Sequence, residues 1–332
     1  MKFAQAKQLA GVFAQANIPV FIWGAPGIGK SAMVHQMAGE ASAMVIDIRL
    51  SMFDPVDLRG LPAIIDGATV WLKPAFWPSV AGKPAFLFFD EMDRASPAVK
   101  NAALQIVLDR RIGEHELPET VRIFAAGNGA TDKGFAASMG NALNNRFAHI
   151  DMESDVDSWC KHADLQNWSP ALVAFHQWRK SEPNIFHELN PSRDAKAYPS
   201  ARAWERVNAT LAICPAELRF HAVAGLVGDS VAGELVAFLD MFAKLPSLDS
   251  ILANPERAPV FGHADLNVNY ALACGLARAA TSANFAAVMA YAQRMPREFE
   301  ILCVTSATGR DSDLKNTRTY VDFAARNQGI FA

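Results

Sequence analysis

The chain is short of cysteine, of tyrosine and of net charge. Its four cysteines, Cys160, Cys214, Cys274 and Cys303, are scattered over 332 residues. None falls in a CxxC pair, which argues against disulfides or a thiolate metal site and for reduced, buried thiols. Thirty-one Lys and Arg face 34 Asp and Glu, a formal net charge of -3. Nothing global therefore draws the chain to nucleic acid or to an anionic membrane. No uncharged apolar run reaches the ~20 residues that a membrane span needs. Residues 1–16 carry Lys2 and Lys7 but lack the long apolar core and cleavage pattern of a signal peptide, so a cytoplasmic location with no membrane partner is expected. Repeats and low-complexity tracts are missing. The eight histidines form no H-x₃-H ligand pair beside a suitable acid, and no nucleophile elbow is present.

What is there reads as a globular protein of two or three compact units. Hydrophobic residues make up 51% and charged residues 20%, which is ordinary for a chain with a sizeable core. The first half alternates short apolar runs with helical patterns. Val20–Trp23, Met44–Leu50, Ala85–Phe89, Val121–Ala126 and His149–Met152 read as strands buried on both faces. Ser31–Ala43 and Pro97–Asp109 read as helices between them, giving βαβ units and a three-layer α/β domain with a parallel sheet. Two stretches stand out. Residues 51–84 carry five prolines and the aromatics Phe53, Trp71, Phe76 and Trp77, and predict a long irregular insert. Residues 111–117 predict a small hairpin around Gly113. Past Met152 only helical segments are predicted: Val156–Ala163, Ser169–Lys180, Ala201–Ala212, Ala216–Phe242, Asn267–Ser282 and Ala286–Arg294. Residues 183–199 and 245–260 read as connectors. The tryptophans Trp159, Trp168, Trp178 and Trp204 read as helical core residues.

The chemistry concentrates in the first half. Gly24-Ala25-Pro26-Gly27-Ile28-Gly29-Lys30-Ser31 fits G-x-x-x-x-G-K-[ST] between a strand and a helix. Its glycines let backbone N–H groups converge on phosphate oxygens, and the helix start adds its positive dipole end. Lys30 is suited to the β- and γ-phosphates of ATP, and the Ser31 hydroxyl to Mg²⁺. The apolar strand before Asp90-Glu91 ends in two carboxylates at the sheet edge where phosphate binds. Asp90 is suited to hold Mg²⁺ through water, and Glu91 to act as general base on the attacking water. Asp93 and Arg94 read as a solvated or subunit-facing pair. Asn128, just after a buried strand, is placed to orient the hydrolytic water.

The succession GAPGIGKS, LFFDEMDRA, FAAGN and NNRFAH resembles an AAA+ ATPase, and more narrowly the MoxR group and its dynein-related relatives, over residues 3–208. The resemblance implies a P-loop AAA+ core at 1–152 and a helical lid at 153–245; the helical pattern beyond it predicts a C-terminal extension at 246–332, which resembles no known family. It implies that Asn128 is sensor 1 and that Arg146 is an arginine finger reaching a neighbour's ATP. It also implies that Arg202, in Pro199-Ser-Ala-Arg-Ala-Trp204, is sensor 2, although Ala201 stands where the family has proline. Asp57-Leu-Arg-Gly60 resembles the segment opening the helix-2 insert, and residues 111–117 sit where the family has its pre-sensor hairpin. A hexameric ring that hydrolyses ATP and remodels a protein client is implied, together with a von Willebrand factor A-domain partner. The competing reading is a nucleic-acid-associated NTPase of the restriction or replication type, some of which prefer GTP.

Overall fold

The computed structural model describes residues 1–78, 83–128, 144–189, 191–192 and 194–327. The chain divides into two compact units, Met1–Asp155 and Val156–Ala332. In chain order the first unit contains α1 (Phe3–Gln15), β1 (Val20–Trp23), α2 (Lys30–Glu40), β2 (Met44–Arg49), α3 (Pro55–Arg59), β3 (Leu61–Ile65), β4 (Ala68–Leu72), β5 (Ala85–Asp90), α4 (Pro97–Asp109), β6 (Arg111–Ile112), β7 (His115–Glu116), β8 (Val121–Gly127) and β9 (Ala148–Asp151).

Five of these strands form one parallel sheet in the order β2-β5-β8-β1-β9. Its centre is covered on both faces, so β1 is apolar throughout, β5 is apolar up to Asp90 and β8 is apolar from Ile123 onward. Side chains alternate between two cores with the strand period of two. Phe86, Phe88, Phe124, Val20 and Ile22 pack with Met33 and Val34 of α2 and with Ala6 and Ala10 of α1. Leu87, Phe89, Ile123, Ala125 and Phe21 pack on the other face with Val99, Ala103 and Ile106 of α4. The Ser96 hydroxyl caps α4 by accepting the Val99 N–H, with Pro97 in the first turn, a combination that fixes a helix start.

The insert at 51–84 is more ordered than its prolines predict. Asp54 and Asp57 form a reciprocal capping box on α3, and β3 pairs with β4 as an antiparallel hairpin. Asp66 and Gly67, both at positive φ (53° and 78°), make the two-residue turn. A positive φ at both central positions matches the right-handed twist of the flanking strands. Gly60, at φ 81°, passes so close to Leu72 that a Cβ would sit 1.9 Å from its carbonyl oxygen. That crowding is the local reason for the glycine in Asp57-Leu-Arg-Gly60. Trp77 is 4% exposed in the sheet core, whereas Trp71 is 38% exposed on β4. The predicted hairpin at 111–117 is present as β6 and β7.

The second unit contains α5 (Val156–Leu165), α6 (Pro170–Trp178), α7 (Pro183–Phe186), α8 (Ala201–Leu211), α9 (Arg219–Val227), α10 (Asp229–Phe242), α11 (Leu248–Ala253), α12 (Leu266–Ala279), α13 (Phe285–Ala292), α14 (Arg297–Arg310) and α15 (Arg318–Arg326). The helix predicted over 216–242 is broken at Gly228, whose φ is 87°. α14 and α15 carry no periodicity that the sequence reading caught, and a short helix lies within the predicted connector at 245–260. One core gathers Trp159, Phe175, Phe186, Trp204 and Phe238, with Trp168 and Trp178 packed against it; Trp168 lies between helices rather than in one. A second core gathers Leu276, Phe285, Tyr291, Phe299 and Phe323. All four cysteines are unpaired, and Cys160 and Cys303 are buried. Among the described residues no helix is long and apolar enough to cross a membrane.

Candidate nucleotide site

The loop at residues 24–31 leaves the C-terminal end of β1, at the sheet edge where β5 delivers Asp90 and β8 delivers Gly127 and Asn128. Gly24 cannot be replaced without displacement. At φ 156°, a Cβ there would lie 2.6 Å from the Met152 carbonyl oxygen and 2.3 Å from Ile28 Cδ1. Gly27 (φ 78°) and Gly29 (φ 99°) adopt left-handed backbone, which turns the loop tightly into α2 and leaves the N-terminal amides of that helix facing the cradle.

Lys30, the first residue of α2, is only 7% exposed. Its ammonium donates to the carbonyls of Gly24 (2.7 Å) and Ala25 (3.1 Å) and to Asn128 Oδ1 (2.9 Å). The lysine thus joins the loop to the tip of β8. Ser31 Oγ donates to Asp90 Oδ2 at 3.1 Å, and the other Asp90 oxygen accepts the Glu91 N–H at 2.9 Å. A hydroxyl and a carboxylate oxygen at this spacing are hard donors suited to two positions around Mg²⁺, the rest being left to water and phosphate.

Glu91 sits in left-handed backbone (φ 52°, ψ 34°), a conformation that costs a non-glycine residue free energy and recurs at functional positions. Its carboxylate accepts a short hydrogen bond from Ser51 Oγ and lies 3.8 Å from Arg49 Nε. Arg49 ends β2 and Ser51 lies in the 3-10 turn Leu50–Met52 that follows it; neither is singled out by the sequence pattern. Polar residues just where the strand next to the one bearing Asp90-Glu91 ends were the available signal.

Asp93 departs from the sequence expectation. It is 1% exposed rather than solvated. One carboxylate oxygen accepts the Asn128 backbone N–H at 2.9 Å. Lys100, 3% exposed, donates to the Asp93 backbone carbonyl at 2.8 Å. Burial pushes the Lys100 pKa down, and the negative charge of Asp93 partly restores it. A Cβ on Gly127 would meet the Asp93 side chain at 3.0 Å, so glycine there lets the carboxylate reach Asn128. Arg94, the other half of the expected pair, is exposed. Asp93 can do its work because it turns inward from a single turn of 3-10 helix, Met92–Arg94, that ends at Ala95.

Arg146 is exposed and precedes β9. The register Val20↔Ala148 and Trp23↔Asp151 places it at the N-terminal edge of the sheet, opposite the loop that follows Trp23. The four-residue strand between those edges is ~13 Å long. The structure therefore brings together Lys30, Ser31, Asp90, Glu91 and Asn128, and sets Arg146 apart. Arg202 lies exposed in the first turn of α8 in the second unit, behind the Ser200 cap.

Residues 19–147 match the family model of the AAA domain, dynein-related subfamily. This stretch, with its parallel sheet and P-loop, is an AAA+ nucleotide-binding domain of that subfamily. The chain is 30% identical over 152 residues to midasin of Giardia intestinalis, an overlap of 42% of this chain and 3% of midasin. Among solved structures it is similar to the RuvB Holliday junction branch migration motor of Thermotoga maritima, at 16% identity and a TM-score of 0.41, covering 79% of this chain and 80% of RuvB. It is also similar to NtrX of Brucella abortus in complex with ATP, at 14% identity and a TM-score of 0.41, covering 99% of this chain and 68% of NtrX.

Proposed function

We propose that the chain is an ATP-hydrolysing, MoxR-like AAA+ ring motor that remodels or activates a protein client, with a von Willebrand factor A-domain protein as partner. The observation that carries this reading is the split of the catalytic set across the sheet. Lys30, Ser31, Asp90, Glu91 and Asn128 share one edge, while Arg146 sits exposed on the other. Arg146 on that edge suits the ATP of a neighbouring subunit better than its own. A ring, hexameric by resemblance, then completes each site.

In this reading residues 24–31 cradle the triphosphate and Lys30 neutralises its terminal phosphates. Ser31 and Asp90 hold Mg²⁺, which offsets charge on the leaving phosphate. Glu91 draws a proton from the attacking water, Asn128 orients that water, and Arg146 of the neighbour stabilises the transition state. Arg202, at the start of α8, senses the nucleotide from the lid at 153–245, and residues 246–332 form an extension to it.

The β3–β4 insert supports a protein client. Ile64 is 83% and Leu61 62% exposed, with Ile65, Trp71 and Leu72 also exposed. An apolar exposed patch marks a protein-binding surface more often than a nucleic-acid one. The deciding experiment is steady-state ATPase activity with and without DNA. Strong stimulation by DNA overturns the protein-client reading in favour of a nucleic-acid-associated NTPase, and loss of Mg²⁺ should abolish turnover in either case.

A further inference from the structure

The turn that carries Arg146 is pinned by a histidine that itself leans on the strand leading into the phosphate loop. His149 lies on β9 opposite Phe21 of β1. Its ring stacks on Trp23, with centroids 6.0 Å apart and an interplanar angle of 17°. The Trp23 indole Nε1–H donates to His149 Nδ1 at 2.8 Å. An indole can only donate, so Nδ1 is the acceptor and the proton of the neutral ring resides on Nε2. That nitrogen is 2.7 Å from the Asn144 carbonyl oxygen and donates to it. The same carbonyl accepts the Phe147 N–H at 3.5 Å, closing a four-residue turn with Asn145 and Arg146 at its centre. The far end of the turn is anchored as well: Phe147 is buried, edge-on to Phe21 with centroids 5.5 Å apart.

Both ends of the Arg146 turn thus rest on β1, through Phe21 and through Trp23, and Trp23 is the residue immediately before Gly24. We propose that His149 is a positioning residue for Arg146. It holds the Asn144 carbonyl so that the guanidinium is presented in one direction, and it ties that direction to the strand bearing the subunit's own phosphate loop. The inference rests on the reading of Arg146 as a group that acts on a neighbour's ATP. It accounts for an exposed histidine whose two ring nitrogens are both committed to protein partners.

The test is steady-state ATPase kinetics of the full chain carrying His149→Ala, His149→Gln, Arg146→Ala and the Arg146→Ala/His149→Ala pair, with ATP binding measured in parallel. A trans-acting arginine is worth ~10³–10⁵ in turnover, and loosening its turn forfeits part of that. His149→Ala should lower kcat about 10–100-fold with KM within about twofold, the pattern of a contact made only in the transition state. Glutamine can both accept from Trp23 and donate to Asn144, so His149→Gln should recover most of the loss. In the Arg146→Ala background, His149→Ala should cost nothing further. Unchanged kcat in His149→Ala, or an equal loss with and without Arg146, overturns the positioning role. Unchanged kcat in Arg146→Ala instead removes the underlying reading of Arg146, and the inference falls with it. If His149→Ala does not bind ATP, Trp23→Phe carries the test: it deletes the indole donor while keeping an aromatic ring on Phe21, and a kcat equal to that of the unaltered chain overturns the proposal.

Discussion

Asp93 gives the sharpest quantitative expectation. Replacing it with alanine leaves the Asn128 N–H without its acceptor and removes the negative charge that partly offsets the burial of Lys100. The bond from Lys100 to the Asp93 backbone carbonyl survives the change, so the main loss is the orphaned N–H, about 1–3 kcal/mol. At about 2–4 °C per kcal/mol for a unit of this size, a loss of about 2 kcal/mol should lower the unfolding transition of the first unit by about 4–8 °C. Asp93→Asn keeps an oxygen for the Asn128 N–H and loses only the charge, so about half that shift is expected. Scanning calorimetry of the full chain measures both. The kinetic companion is a fall in kcat with little change in KM for Asp93→Ala, because Asn128 loses its backbone anchor. If both variants unfold within about 2 °C of the unaltered protein, Asp93 is a solvated acid and the reasoning is wrong.

Other expectations follow the same geometry. Lys30→Ala should abolish measurable ATP binding by calorimetry, while Glu91→Gln and Arg146→Ala should bind ATP yet lose turnover; tight binding by Lys30→Ala would refute the assignment of the loop. Ser51→Ala frees the Glu91 carboxylate from its short hydrogen bond, and ATPase assays should show kcat changed with Kd for ATP preserved. His176 is enclosed by Trp159, Phe186 and Trp204, and burial drives its pKa down to about 3. The unfolded chain takes up a proton below pH 6.5 that the folded one refuses, so stability present above 6.5 is lost as pH falls toward 3. The slope is up to ~1.4 kcal/mol per pH unit. Denaturation of the second unit at pH 7.5 and pH 5 should show this loss, and His176→Phe should remove it.

Much of the first unit was legible because its strands are buried on both faces. That burial forces continuous Val, Ile and Phe runs, and the glycines of the phosphate loop have no steric substitute. The β3–β4 hairpin was missed because the prolines of the insert outweighed the Asp66-Gly67 pair, which is the stronger local signal. Asp93 was misread because sequence alone offers no hint that a charged residue three places after Asp90 turns inward. Its partner Lys100 lies one turn into α4, and only the folded chain brings the two together. In the second unit, helix existence followed from periodicity, but the break at Gly228 depended on a backbone angle. α14 passed unseen because its apolar face is interrupted by Thr, Ser and Glu300, which is itself buried.

Lys30 braces two segments 98 residues apart in sequence, the loop after β1 and the tip of β8, through bonds to the Gly24 and Ala25 carbonyls and to Asn128 Oδ1. One side chain therefore sets the spacing between the two sheet-edge segments that the proposed ATP chemistry would use. A substitution at Lys30 that looks like the loss of one charge is also the loss of a strut, and its effect should reach Asn128 as well as the phosphate loop.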